Sequence, residues 1–111
     1  EHVREEIKQV KNKNLLVIVE GKKDKKAMEN LGITNIETLS KTPLYKVIED
    51  TAKKTKEATI LTDLDKKGKE LYHKLMTGLQ KHRVKINNKL RKLLFKARVS
   101  HIEGLNNIRL I

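Results

Sequence analysis

Two periods of hydrophobic positions take turns along this chain. Val3, Ile7 and Val10 recur at helical spacing with charges between them, and predict an amphipathic helix over residues 1–12. Leu15-Leu16-Val17-Ile18-Val19 then runs unbroken. A β-branched run of that length predicts a strand buried on both faces, as in a parallel sheet. Glu20-Gly21 ends it. Asp24 predicts the cap of a helix from Lys25 to Leu31, with Gly32 as its terminator. Ile33 to Leu39 predicts a second strand, with Ile36 as its core residue. Ser40-Lys41-Thr42-Pro43 opens a helix striped by Leu44, Val47, Ile48 and Ala52, with Pro43 in the first turn, where a missing N–H is tolerated. Ala58 to Thr62 predicts the third strand. Asp65 caps a long helix with Leu71, Leu75 and Leu79 on one face and Gly78 near its end. Val84-Lys85-Ile86 alternates and predicts a short fourth strand. Asn87 or Asn88 caps a last helix carrying Leu90, Leu93, Leu94 and Ala97. In the tail, Ser100 to Leu105 (SHIEGL) is expected to return to the sheet as a short strand.

Strands alternating with helices require crossover connections, and these place helices on both faces of a parallel sheet. The expected fold is therefore α/β: a three-layer α/β/α sandwich around a central, mostly parallel four-stranded sheet of Rossmann-like kind. No repeat, low-complexity tract or linker interrupts the 111 residues. A single domain over 1–111 is expected, its core within 13–100, with a short C-terminal tail.

Composition sharpens this picture in three ways. Only Tyr45, Tyr72 and Phe95 are aromatic, so aliphatic side chains must fill the core, and both tyrosines are expected as packing residues. There is no cysteine, which excludes disulfides and thiolate metal sites. No apolar run approaches the roughly 20 residues of a membrane helix, and residues 1–6 lack an apolar signal core. A soluble, cytoplasmic protein is expected.

The net charge is +12, and it is unevenly placed. Residues 71–102 carry nine basic side chains and no acid. A block of that kind attracts polyanions. Nucleic acid is the expected partner, and no membrane is expected.

Against this basic background, two carboxylates stand one residue apart in "TILTDLDKKG", Thr59 to Gly68. Loops that follow parallel strands gather at one edge of the sheet, where sites form. Glu20 ends the first strand and Asp63 the third. If those strands are neighbours, Glu20, Asp63 and Asp65 converge. Three close carboxylates resist ionising together, and a divalent cation removes that penalty. All-oxygen ligands favour a hard ion, Mg²⁺ or Mn²⁺. Taken singly, Asp65 would serve as a helix cap and Asp63 as the end of a strand. A calcium EF-hand loop also begins Asp-x-Asp, but Lys67 and Lys74 would fall at ligand positions. A phosphatase with an aspartate nucleophile would leave Glu20 without a role. No Gly-x-x-x-x-Gly-Lys-Ser/Thr loop is present.

The segments "VIVEGKKD" (Val17 to Asp24) and "ILTDLDKKG" (Ile60 to Gly68) together resemble the Toprim domain, shared by topoisomerases, primases and several nucleases. The family's pattern is an apolar strand ending in Glu-Gly-x-x-Asp, then a later strand ending in Asp-x-Asp-x-x-Gly. Both halves match in order and spacing. The resemblance implies Mg²⁺ held by Asp63 and Asp65, with Glu20 in acid–base chemistry or in the metal shell. It also implies what is missing. Topoisomerases bring a nucleophilic tyrosine from another domain, and primases need further domains. What remains is a free-standing small Toprim protein resembling the nuclease that trims a small ribosomal RNA precursor.

Two functions of different class follow. One is a Mg²⁺-dependent phosphodiesterase acting on structured RNA, with Glu20, Asp63 and Asp65 as catalytic and metal-binding residues. Lys22, Lys23, Lys66 and Lys67 would steady phosphate charge. The other is a non-catalytic RNA-binding module of an RNA-processing or ribosomal assembly. Its footprint would be Lys81, Arg83, Lys85, Lys89, Arg91, Lys92, Lys96 and Arg98. Scarce aromatics favour recognition of backbone and shape over reading of single-strand bases. RNA is preferred to DNA on family analogy, and a monomer or a dimer would serve. His2, His73, His82 and His101 stand at no helical metal spacing; approach to phosphate is the alternative for His73 or His101, and surface or capping positions are expected.

Overall fold

The computed structural model describes residues 2–97 and 101–107. The elements in chain order are α1 (His2–Asn12), β1 (Leu16–Val19), α2 (Lys22–Asn30), β2 (Ile36–Thr38), α3 (Leu44–Lys54), β3 (Glu57–Ile60), α4 (Lys66–Lys81), β4 (Lys85–Ile86) and α5 (Lys89–Lys96). A 3₁₀ turn over Ile102–Asn107 follows. The strands form one sheet in the order β2-β1-β3-β4, and all three pairings are parallel.

The period of two in β1 divides the core. Val17 and Val19 face one side with α1, α2 and α5, packing on Ile7, Val10, Ala27, Met28, Leu90 and Leu94. Leu16 and Ile18 face the other side with α3 and α4, against Val47, Leu75 and Leu79. All four β1 residues are buried, as a central strand covered on both faces must be. The result is the three-layer α/β/α sandwich, built on an aliphatic core. Among the described residues no helix is long and apolar enough to cross a membrane.

Several local expectations are corrected. α2 begins at Lys22 with Gly21 as its cap residue, three residues earlier than read from Asp24. Asp24 acts from inside the first turn, its Oδ2 accepting from the Gly21 N–H at 3.0 Å. A carboxylate there also meets the positive end of the helix. Pro43 is the cap residue of α3, with extended ψ of 142°, and does not lie within the first turn. Asn88 occupies the cap position of α5, but the side chain that serves the helix is that of Asn87, whose Oδ1 accepts from the Lys89 N–H at 3.1 Å. Ile36 is half-buried, because β2 is an edge strand. Tyr72 packs against the core, whereas Tyr45 is 66% exposed and is not a packing residue. Residues 102–107 form the 3₁₀ turn in place of a strand. Ile102, 1% exposed, anchors that turn in the core shared by α1, α2 and α5.

Candidate metal centre

Sheet topology brings the carboxylates together. From β1 the chain crosses by α2 to β2 at one edge, and from β3 it crosses by α4 to β4 at the other. The loops after β1 and β3 therefore leave neighbouring strands toward opposite faces. Such a switch point leaves a crevice outside the strand ends. Register sets the level. Leu16 pairs with Ala58 and Ile18 with Ile60, so Glu20 comes abreast of the turn after Thr62. The Glu20 Oε2 accepts from the Asp63 N–H at 2.8 Å, across 43 residues of chain.

Each carboxylate in the crevice is held by a backbone N–H. Asp65 Oδ1 accepts from Gly68 at 2.8 Å and caps α4. Asp63 Oδ1 accepts from Ile102 at 2.8 Å. Asp24 is held by Gly21. Such bonds fix the oxygens and favour the charged form. Burial opposes them. Burial is the largest influence on Glu20 and raises its pKa above 4.5; Asp63, Asp65 and Asp24 push the same way, against the Asp63 N–H. Asp24 is likewise raised, by burial first, then by Asp63 and Glu103. The crevice thus gathers more negative charge than its surroundings favour, the condition that a cation relieves.

Gly68 explains the close of the Asp-x-Asp-x-x-Gly pattern. A Cβ at this position would lie 1.9 Å from the Asp63 carbonyl oxygen, an impossible approach to backbone. Only glycine lets the first turn of α4 fold against the Asp63 loop. Thr62 Oγ1 ties the same turn by donating to the Gly68 carbonyl at 2.7 Å.

Arg91 sits beneath this loop. It is buried, 8% exposed, and donates to the Thr62 carbonyl at 2.6 Å, the Thr62 Oγ1 at 3.1 Å and the Asp63 carbonyl at 3.3 Å. Its guanidinium lies 4.4 Å from the Tyr72 ring centroid. Burial lowers its pKa, while Tyr72, Glu20 and Asp63 oppose the fall. A guanidinium stays charged under such a shift. Arg91 is therefore a support for the Asp63 loop and not the surface cation read from the basic block.

His101, expected at a surface or capping position, stands at the site. His101 Nε2 lies 3.8 Å from Asp65 Oδ2. Ligand atoms of Asp63, Asp65 and His101 all lie within 4.8 Å of one another. Donors on opposite sides of a Mg²⁺ ion stand about 4.2 Å apart, so modest side-chain closure suffices. The two carboxylates suit Mg²⁺ or Mn²⁺, and adding the imidazole favours Mn²⁺ or a transition ion, so the residues fit a divalent cation. Glu20 is outside that trio, its carboxylate turned onto the Asp63 backbone. The packing of Ile102 and its N–H bond to Asp63 bring His101 back to the strand ends, and no local periodicity announces it.

The remaining bases separate. Lys22 and Lys23 open α2, and Lys66 and Lys67 open α4; all four are exposed at the carboxylate edge. Lys89, Lys92 and Lys96 are exposed on α5, which also starts from that edge. Lys81, Arg83 and Lys85 are exposed at the opposite edge, where α4 ends and β4 begins. The 16 residues of α4 put about 24 Å between the two edges. Arg98 lies outside the described residues.

Residues 15–89 match the Toprim domain. The chain belongs to the Toprim family. It is 39% identical over 98 residues to a UPF0292 protein of Pyrococcus abyssi, covering 85% of this chain and 74% of that one. It is 33% identical over 81 residues to a UPF0292 protein of Methanocaldococcus jannaschii, covering 71% of this chain. The chain spans 63% of the length of that relative. A solved structure of a protein from Aquifex aeolicus matches with a TM-score of 0.83 at 28% identity, covering 92% of this chain and 94% of the other. Toprim domains bind divalent metal and work on nucleic acid. Among the described residues, Asp63, Asp65 and His101 form a group able to hold such an ion.

Proposed function

We propose that residues 1–111 form a single Toprim domain that hydrolyses phosphodiester bonds in structured RNA with Mg²⁺ or Mn²⁺. The observation carrying this reading is the 2.8 Å bond from the Asp63 N–H to Glu20, which joins the two halves of the motif at one point. Asp63 and Asp65 are the metal ligands in this reading, with His101 beside them and Glu20 facing the same crevice. A divalent ion there supplies Lewis acidity toward a phosphate and a water of lowered pKa. The protein's own residues do the rest. Glu20 is held by Oε2, which leaves Oε1 to take a proton and return it. Its raised pKa brings it nearer to neutral working conditions. Lys22, Lys23, Lys66 and Lys67 meet the charge of neighbouring phosphates. The setting is cytoplasmic, and the protein acts as a monomer or a dimer.

A second reading, a non-catalytic module of an RNA-processing or ribosomal assembly, draws on Lys81, Arg83 and Lys85. These exposed bases stand too far from the carboxylates to serve chemistry there, yet they would lengthen a footprint on RNA. The two readings separate on one variant. Asp63→Asn abolishes Mg²⁺-dependent cleavage while RNA affinity stays close to wild type. A wild-type protein that cleaves no structured RNA with either ion leaves the binding reading in possession.

A further inference from the structure

At the carboxylate end of β3 and β4, the helices α4 and α5 part. Between them lies a groove of about 350 Å³. β4 pairs over only two residues, so little sheet holds the two helices together there. Leu64, Tyr72 and Arg91 line its floor. There the flat guanidinium of Arg91 lies against the Tyr72 ring. Lys69, Lys92 and Lys96 line the rim, and among the described residues no acidic one does. Leu64 stands between Asp63 and Asp65 in the chain, so the groove opens beside the candidate metal centre.

Phe95 is the telling residue. It is 61% exposed along the groove, although the core has room for few aromatics and uses Tyr72. Lys69 Nζ lies 5.9 Å from its ring centroid. An apolar peptide would match the floor and leave three lysines unanswered. Inorganic phosphate would match the lysines and leave the ring unused. A nucleotide answers both, with a flat base for the ring and a charged phosphate for the rim.

We propose that this groove seats one unpaired nucleotide of the substrate strand, its base stacked on Phe95 and its phosphate met by Lys92 and Lys96. This rests on the nuclease reading and narrows it to structured RNA with an unpaired nucleotide next to the cleaved bond.

The test is equilibrium binding by fluorescence anisotropy without divalent ion. Three labelled RNA hairpins serve as probes: one with a short unpaired tail, one with that tail abasic, and one blunt. Wild type is expected to bind the tailed hairpin about tenfold more tightly than the abasic one. Phe95→Ala erases that difference and leaves the blunt hairpin's affinity unchanged, while Phe95→Tyr retains it. Lys92→Ser and Lys96→Ser each lower the salt slope by about 0.7. Equal wild-type affinity for tailed and abasic hairpins overturns the proposal, as does equal weakening of all three by Phe95→Ala. A dimer that Phe95→Ala splits in sedimentation also overturns it, because the groove would then be an interface between copies. Cleavage is scored separately, with Mg²⁺ and the tailed hairpin. Cleavage without base-dependent affinity defeats the groove alone; base-dependent affinity without cleavage defeats the nuclease reading and supports the groove.

Discussion

The two edges of the sheet both carry dense charge, and they treat it differently. At the carboxylate edge, Glu20, Asp24, Asp63 and Asp65 each accept a backbone N–H at 2.8–3.0 Å. Beneath them Arg91 is fixed by two carbonyls and a hydroxyl. At the far edge Lys81, Arg83 and Lys85 project into solvent. Solvated charge is interchangeable and sets a long-range field. Charge held by the backbone has a fixed position, and a ligand can be matched to it. The difference marks the acidic edge as built and the basic edge as general attraction.

The largest effect that sharpens this contrast is steric. Gly68→Ala drives a Cβ into the Asp63 carbonyl, and a backbone collision has no cheap relief. A stability loss of about 3 kcal/mol or more is expected in urea unfolding. Gly78→Ala is the control. Its Cβ would meet Ile48 Cδ1 at 2.4 Å, the far end of a side chain that can turn, and alanine gains helix propensity. Its cost stays below that of Gly68→Ala. Equal losses would mean that the Asp63 loop is not locked as described.

The charge itself comes next. Arg91→Ala leaves the Thr62 and Asp63 carbonyls short of donors and is expected to cost about 2–3 kcal/mol. Lys85→Ala at the far edge stays within about 0.5 kcal/mol. If both prove neutral in unfolding experiments, Arg91 does not support the loop.

The smallest effect is one of pH. Glu20 has a folded pKa above 4.5, so the folded state binds its proton more tightly than the unfolded state does. This contribution is fully present below the unfolded pKa and is lost as pH rises through the folded value. Without divalent ion, wild type should therefore lose stability relative to Glu20→Gln over that rise. Added Mn²⁺ should shrink the gap. Parallel Tm curves for the two proteins across the rise would contradict the crowding of charge at the crevice.

What was legible in the sequence follows from the range of the forces involved. β1 declared itself because burial on both faces demands an unbroken apolar run, and α4 because Leu75 and Leu79 repeat with the helix. Parallel pairing follows from alternation of the two periods, but alternation does not say that β1 and β3 are neighbours, the order that brings Glu20 to the Asp63 loop. Arg91 departs from the surface role expected of it: its neighbours Lys89 and Lys92 are exposed, and a charge block gives no sign of which member turns inward. The place of His101 beside Asp65 has no sequence signal, because it depends on Ile102 reaching a core shared by three helices, a contact with no local signature. Asp24 suits a cap by residue type and place after the strand, yet the helix starts before it.

The central claim is that Asp63 and Asp65, in the crevice that Glu20 also faces, hold one divalent ion. Anomalous diffraction from a crystal soaked in Mn²⁺ tests it most directly. One peak within ligand distance of both Asp63 and Asp65, lost in Asp63→Asn, is the predicted result. A crystal with that crevice open to solvent but no peak there, or with Mn²⁺ bound only elsewhere, would contradict the account.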